Sequence, residues 1–195
     1  MLMLGSPPCV TPATTRAPVR EQSPKEKGSG KLPLRPEALE VFVQPTKRAY
    51  KSFCYTARTS WSSARRGMLS AAGRPNIVVG SPPEFKGDPD IWAPEELLVG
   101  SLNTCMMLTF LTLAQGQGLT PAGYESEAEG LLDSVEGKYR ITEVTVRPRV
   151  TLKSDAELEL ARKSMESVEA HCFIANSINA RVTLTPEFVV APSPK

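Results

Sequence analysis

The sequence has one histidine, His171, and no CxxC pair among its four cysteines, Cys9, Cys54, Cys105 and Cys172. That scarcity argues against a zinc site built from clustered Cys and His ligands. Such wide spacing in a chain of 195 residues is not that of a small secreted disulfide scaffold either. Aromatic residues are few, and the net charge of +2 comes from interspersed signs with no basic run or aromatic–basic stripe, which points away from nucleic acid. The opening "MLMLG" is too short an apolar block for a secretory signal. Pro7, Pro8, Pro12 and Pro18 oppose the amphipathic helix that an organelle transit peptide needs. Charge is also missing from Leu97 to Ala114, 18 residues, the length at which a membrane span has to be weighed. Ser101, Asn103, Thr104, Thr109 and Thr112 interrupt that stretch, and no basic residue flanks it closely. A helix surrounded by its own protein is the better expectation.

Apolar residues make up 41% of the chain, enough for one domain with a sizeable core. They are unevenly placed. Residues 1–49 hold eight of the 18 prolines and read as a disordered tail, because such a composition cannot bury enough surface to offset chain entropy. The folded domain is expected over residues 50–190, with 191–195 a short tail. No internal repeats are present.

"YKSFCYTARTSW" predicts a first strand with Phe53 and Tyr55 on one face, "SSARRGMLSAAGRP" a second, and "NIVVGSPPEFKGDPD" a third that runs into a Pro/Gly/Asp loop. "APEELLVGSLNTCMML" opens a long helix, with Pro94 suited to its first position and Glu95 and Glu96 in its first turn. It should end near Gln115, before Gly116 and Gly118. "YESEAEGLLDS" and "YRITEVTVRPRVTL" predict a hairpin that turns at Glu136-Gly137. "SDAELELARKSMESVEAHC" reads as a second helix opened by a Ser154-x-x-Glu157 capping box. Its apolar positions Leu158, Ala161, Met165, Val168 and Cys172 step by three and four. "ARVTLTPEFVV" closes the chain as a strand. The expected class is α+β, an antiparallel sheet of about six strands with two main helices, the central one buried.

Both helices deliver a cysteine to an apolar setting, 67 residues apart. If the helices pack together the thiols are neighbours; if not, each is core filler, as free cysteines often are. Cys54 and Cys9 read as thiols without a chemical role.

"SPPEFKG…WAPEELLVGSLNTCMMLTFLTLA" followed by "AHCFIANSI", with "RRG" after the tryptophan of the early strands, resembles the OsmC/Ohr family, the osmotically inducible and organic-hydroperoxide-resistance proteins. The resemblance covers roughly residues 50–190. It implies an OsmC-like interlocked homodimer and a thiol peroxidase that acts on organic, lipid-type hydroperoxides. Cys105 would be the peroxidatic cysteine and Cys172 the resolving one, with Glu95 and an arginine, Arg65 or Arg66, completing the site. It further implies no bound cofactor, an external thiol or dithiol reductant with a lipoylated protein as one candidate, no nucleic-acid or membrane partner, and a cytoplasmic location.

The chemistry asks for the same residue types. The thiolate is the reactive form, and burial alone would raise its pKa. A guanidinium restores the anion and can donate to peroxide oxygens. Ten residues of continuous helix separate Glu95 from Cys105 by about 15 Å, so both cannot touch one arginine within one straight helix. Either the helix breaks or the glutamate serves another subunit's thiol. Two departures stand out. The arginine of the OsmC-type "RFEG" segment is replaced by Glu84 in "EFKG", which leaves the cation open between Arg65, Arg66 and Lys86. The frequent Cys-Pro of the second segment is Cys172-Phe173 here. The alternative reading is a non-catalytic relative that binds an apolar ligand in the interface cleft.

Overall fold

The structure, a computed structural model, describes residues 51–192. The tail expected over residues 1–49 lies outside the described residues. Residues 51–56, the described part of an N-terminal unit, are exposed and without regular structure, and all named elements belong to the unit that starts at Ala57. The first strand is therefore shorter than expected. It begins at Arg58, and Phe53 and Tyr55 precede it, exposed.

Strands β1 (Arg58–Ser63), β2 (Arg66–Ser70) and β3 (Ile77–Gly80) form an antiparallel meander. Every residue of β1 is exposed, Trp61 at 77%. The chain then passes a 3-10 turn at Pro83–Phe85 and enters α1 (Pro94–Gly116). The helix opens as expected, with Pro94 first and Glu96 reaching back to accept the Ala93 N–H at 2.8 Å.

The second sheet is built on a long hairpin of β4 (Gly123–Val135) and β5 (Lys138–Leu152). Its turn falls at the expected pair. Glu136 (φ 53°) and Gly137 (φ 77°) both adopt positive φ, as a two-residue hairpin loop with the right twist requires. The chain returns through α2 (Leu158–Glu166) and α3 (Val168–His171), so β6 (Arg181–Leu184) and β7 (Glu187–Val190) re-enter parallel to β5. A sheet wholly antiparallel is thus corrected to a mixed one, because a helical crossover brings the strand back in the same direction. The closing strand is also divided in two. Pro186 interrupts it opposite Pro148 of β5, and neither proline has an N–H to offer a ladder.

The second helix likewise differs from expectation. A 3-10 turn at Asp155–Glu157 precedes it and Ser167 divides α2 from α3. Ser154 makes no side-chain cap, and Glu157 accepts the Lys153 N–H at 2.8 Å instead.

The core lies between the β4–β7 sheet and the helices. Leu102, Met106, Phe110 and Ala114 of α1 meet Val144, Val146, Val150 and Leu152 of β5, Ala161, Met165 and Val168 of α2–α3, and Cys172 just past the end of α3. Gly130 of β4 permits a close approach, since a Cβ there would lie 2.6 Å from Val99 Cγ2 of α1. By length and composition α1 could cross a membrane, yet one whole stripe of it is buried against its own protein. The opposite stripe, Leu98, Ser101, Thr104, Leu108 and Thr112, is exposed, so the expected burial on all sides holds for one face of the protomer. The fold is α+β.

Candidate active site

Cys105 stands at the middle of α1, half-buried, and Cys172 just past the end of α3, fully buried. The 3.6-residue period that buries Leu102 and Met106 carries Cys105 along the edge of the same face, and α3 closes over it. The two thiols are neighbours, close enough for each to shift the protonation of the other. Neither is oxidised.

Their protonation is split by that contact. Burial pushes the Cys105 thiol up and is the largest single influence. Hydrogen bonds from the Cys172 thiol, the backbone N–H groups of Ile174 and Phe173, and the Thr109 side chain together outweigh it, leaving Cys105 below the ordinary cysteine value. Cys172 moves the other way, pushed up to about 11, first by burial, then by the hydrogen bond and the charge of Cys105, against the N–H groups of Ala175 and Ile174. The Ala175 N–H donates to the Cys172 Sγ at 3.4 Å. Thr109, one turn beyond Cys105, donates its hydroxyl to the Cys105 carbonyl at 2.8 Å.

The other predicted residues assemble elsewhere. Arg65 lies in the β1–β2 turn, next to Ala64 at φ 44°, and Arg66 opens β2. Glu95 occupies the first turn of α1. All three line a cleft of about 490 Å³ together with Trp61, Phe85 and Pro94. Arg65 donates to the Phe85 carbonyl at 2.7 Å, and Arg66 is paired with Asp88, which raises the guanidinium and lowers the carboxyl. One carboxylate oxygen of Glu95, Oε2, is buried without a hydrogen-bond partner among the described residues. A neighbouring cavity of about 830 Å³ shares Glu95 and Phe85 and is walled by Trp92, Val99, Tyr139 and Ile141. Glu84 lines it too, and Lys86 follows in a left-handed conformation at φ 63°.

The structure therefore brings the two cysteines together and gathers Glu95 with Arg65 and Arg66, but keeps the two halves apart within the protomer. Helix α1 is unbroken between Glu95 and Cys105, so the separation of about 15 Å stands. Sequence reasoning missed four contributors. Asp88 comes from an irregular loop, and the N–H groups of Phe173 and Ile174 depend on a turn with no signature. Thr109 alone had a legible signal, its i+4 spacing from Cys105.

A family model described as OsmC-like protein matches residues 87–187, which include Glu95 and both cysteines. The uncharacterized protein YmaD of Bacillus subtilis (strain 168) is 30% identical over 109 residues, 54% of this chain and 73% of that protein. An OsmC-like protein of unknown function from Vibrio cholerae O1 biovar eltor has a similar structure, with a TM-score of 0.64 and 25% identity over 69% of this chain and 99% of that one. The fold is also that of an organic hydroperoxide resistance protein from Elizabethkingia anophelis, with a TM-score of 0.55 and 16% identity over 72% of this chain and 100% of that one.

Proposed function

The chain belongs to the OsmC-like protein family, and from that premise we propose that it is a cysteine-based peroxidase reducing organic, lipid-type hydroperoxides. The observation that carries the reading is the thiol pair: a half-buried Cys105 with its thiol lowered, beside a buried Cys172 with its thiol raised. The lowered thiol is the nucleophile. Its sulfur attacks the terminal oxygen of ROOH, the O–O bond breaks, and the alkoxide leaves and takes a proton as ROH, so that Cys105 becomes a sulfenic acid. Loss of the Cys105 negative charge removes one of the influences that hold Cys172 protonated. The Cys172 sulfur then attacks the sulfenic sulfur, water leaves, and a disulfide forms. An external dithiol, such as a lipoylated protein, returns both thiols. The cytoplasm, where thiols are kept reduced, suits that cycle.

The working unit in this reading is a homodimer. The uncharged exposed stripe of α1, the bare first strand, and the unpartnered Glu95 Oε2 each ask for a second surface. With the helix unbroken, Glu95 and Arg65 or Arg66 of one subunit would serve Cys105 of the other.

A titration of free thiols before and after one equivalent of cumene hydroperoxide tests the peroxidase. Rapid loss of two thiols per chain in the wild type, and of none in Cys105→Ser, is expected. The aromatic-walled cavity of about 830 Å³ favours the second reading, a non-catalytic protein that binds an apolar ligand. Thiols that survive micromolar peroxide would transfer the case to it.

A further inference from the structure

The cavity of about 830 Å³ beside the first turn of α1 carries a charge that its apolar walls do not explain. Three carboxylates line it, Glu84 from the 3-10 turn and Glu95 and Glu96 from the helix start. No lysine, arginine or histidine of the described residues does. Glu96 is engaged by the Ala93 N–H. Glu84 is exposed and has neither a hydrogen bond nor an ion pair among the described residues. Glu95 Oε2 is buried and unpartnered among them. A buried carboxylate oxygen without a donor is costly, and a cationic N–H donor in the cavity would relieve that cost.

The basic residues close by are engaged elsewhere. Arg65 donates to the Phe85 carbonyl, and Arg66 is paired with Asp88. Arg140 sits between Tyr139 and Ile141 on β5, and the two-residue period of a strand sets it on the opposite face from these two lining residues.

The walls suit a cation with an apolar body. Phe85 and Tyr139 meet edge to face, ring centres 6.2 Å apart and planes at 74°, and Trp92 stands 53% exposed. The faces of such rings attract ammonium groups. Val99 and Ile141 add aliphatic lining, and the volume falls in the range of about 300–1,000 Å³ usual for small-molecule sites.

We propose that this cavity binds an amphipathic organic cation, an alkylammonium compound whose charged head meets Glu84 and Glu95 against the rings of Phe85, Trp92 and Tyr139. Binding here does not depend on thiol chemistry. A purely apolar ligand would satisfy the walls and leave the carboxylates unanswered.

The test is calorimetric titration of the full chain, at neutral pH and low salt, with four probes that share one alkyl chain: hexylammonium, hexanol, hexanoate and hexylphosphocholine. Hexylammonium should bind about tenfold or more tighter than hexanol, and hexanoate should not bind. Hexylphosphocholine, whose phosphate would meet the carboxylates, should bind less well than hexylammonium. Glu84→Gln should cut the preference for hexylammonium over hexanol about threefold or more, and Trp92→Ala should weaken hexylammonium. Glu127→Gln, which removes an exposed charge from the other face of β4, should match the wild type.

Hexanol bound as tightly as hexylammonium would overturn the proposal in favour of an apolar site. So would a preference unchanged in Glu84→Gln, or reduced equally in Glu127→Gln, which would trace it to net charge. Tighter binding of hexylphosphocholine would assign the cavity to a lipid headgroup and overturn it likewise, as would binding of none of the four. Glu84 is exposed and unpaired among the described residues, so its replacement leaves the fold intact. Loss of free thiols to cumene hydroperoxide, measured on the same wild-type samples, reports on the peroxidase separately.

Discussion

Glu95 and Cys105 stand on one unbroken helix, ten residues apart, and cannot reach a common partner from the same chain. That relationship yields a genetic test that needs no structure of a complex. Cys105→Ser and Glu95→Gln should each be nearly inactive as homodimers. Mixed and reassociated, they should regain a clear fraction of wild-type peroxidase turnover, because one site per mixed dimer then combines an intact Cys105 with an intact Glu95 from the partner. Mixtures no more active than the sum of their parts would show that each site is built from one chain.

The opposite shifts of the two thiols predict an order of reaction. Cys172→Ala removes the neighbouring thiol that helps to lower Cys105, so the Cys105 alkylation profile should move to higher pH. Peroxide should now leave a persistent sulfenic acid, trapped by dimedone, and consume one thiol in place of two. A variant that still lost two thiols would mean that another cysteine resolves Cys105.

Cys172 also ties stability to pH. Its folded pKa is raised, so it contributes stability that is fully present below the unfolded cysteine value of about 8.5 and lost as pH rises toward about 11. The wild type should therefore lose thermal midpoint more steeply over that alkaline window than Cys172→Ala does. Parallel slopes in the two proteins would argue against a raised thiol at this position.

Thr109 offers a finer test of the thiolate. Its hydroxyl bonds the Cys105 carbonyl and also helps lower the Cys105 thiol. Thr109→Val keeps the shape and loses the hydroxyl, and should slow Cys105 alkylation at neutral pH a few-fold. Thr109→Ser should not. Indistinguishable rates for all three proteins would confine Thr109 to capping a helix carbonyl.

Much of this site was legible in the sequence. The apolar steps of the second helix located Cys172 on a buried face, and the Pro94–Glu96 signature set the start of α1, because both depend on local periodicity and capping. The hairpin turn at Glu136-Gly137 was legible for the same reason. What escaped depends on contacts distant in sequence. The parallel entry of β6 and β7 follows from a crossover, and the split closing strand from Pro186 meeting Pro148 across the ladder. The Arg66–Asp88 pair joins the start of β2 to a loop 22 residues further on. The partial cover of α1 was hidden because its sequence is uncharged on every face, and its polar residues fall both on the bare stripe (Ser101, Thr104, Thr112) and on partly covered positions (Asn103, Thr109).

That bare stripe separates folding from association on a single helix. Phe110 is fully buried between α1 and the sheet, ring to ring with Tyr124 at 5.8 Å, and Phe110→Ala should cost about 3–5 kcal/mol of protomer stability. Leu108, two residues earlier and 54% exposed, loses little intramolecular packing when replaced. Leu108→Glu places a charge in the middle of an uncharged stripe. A stripe that packs against its counterpart in a second subunit would then bury two like charges, which is strongly unfavourable. The expected outcome is a protein that keeps its secondary structure by circular dichroism but sediments as a monomer and loses peroxidase turnover with it. A Leu108→Glu protein that remained dimeric would place the subunit contact on another surface of the protomer.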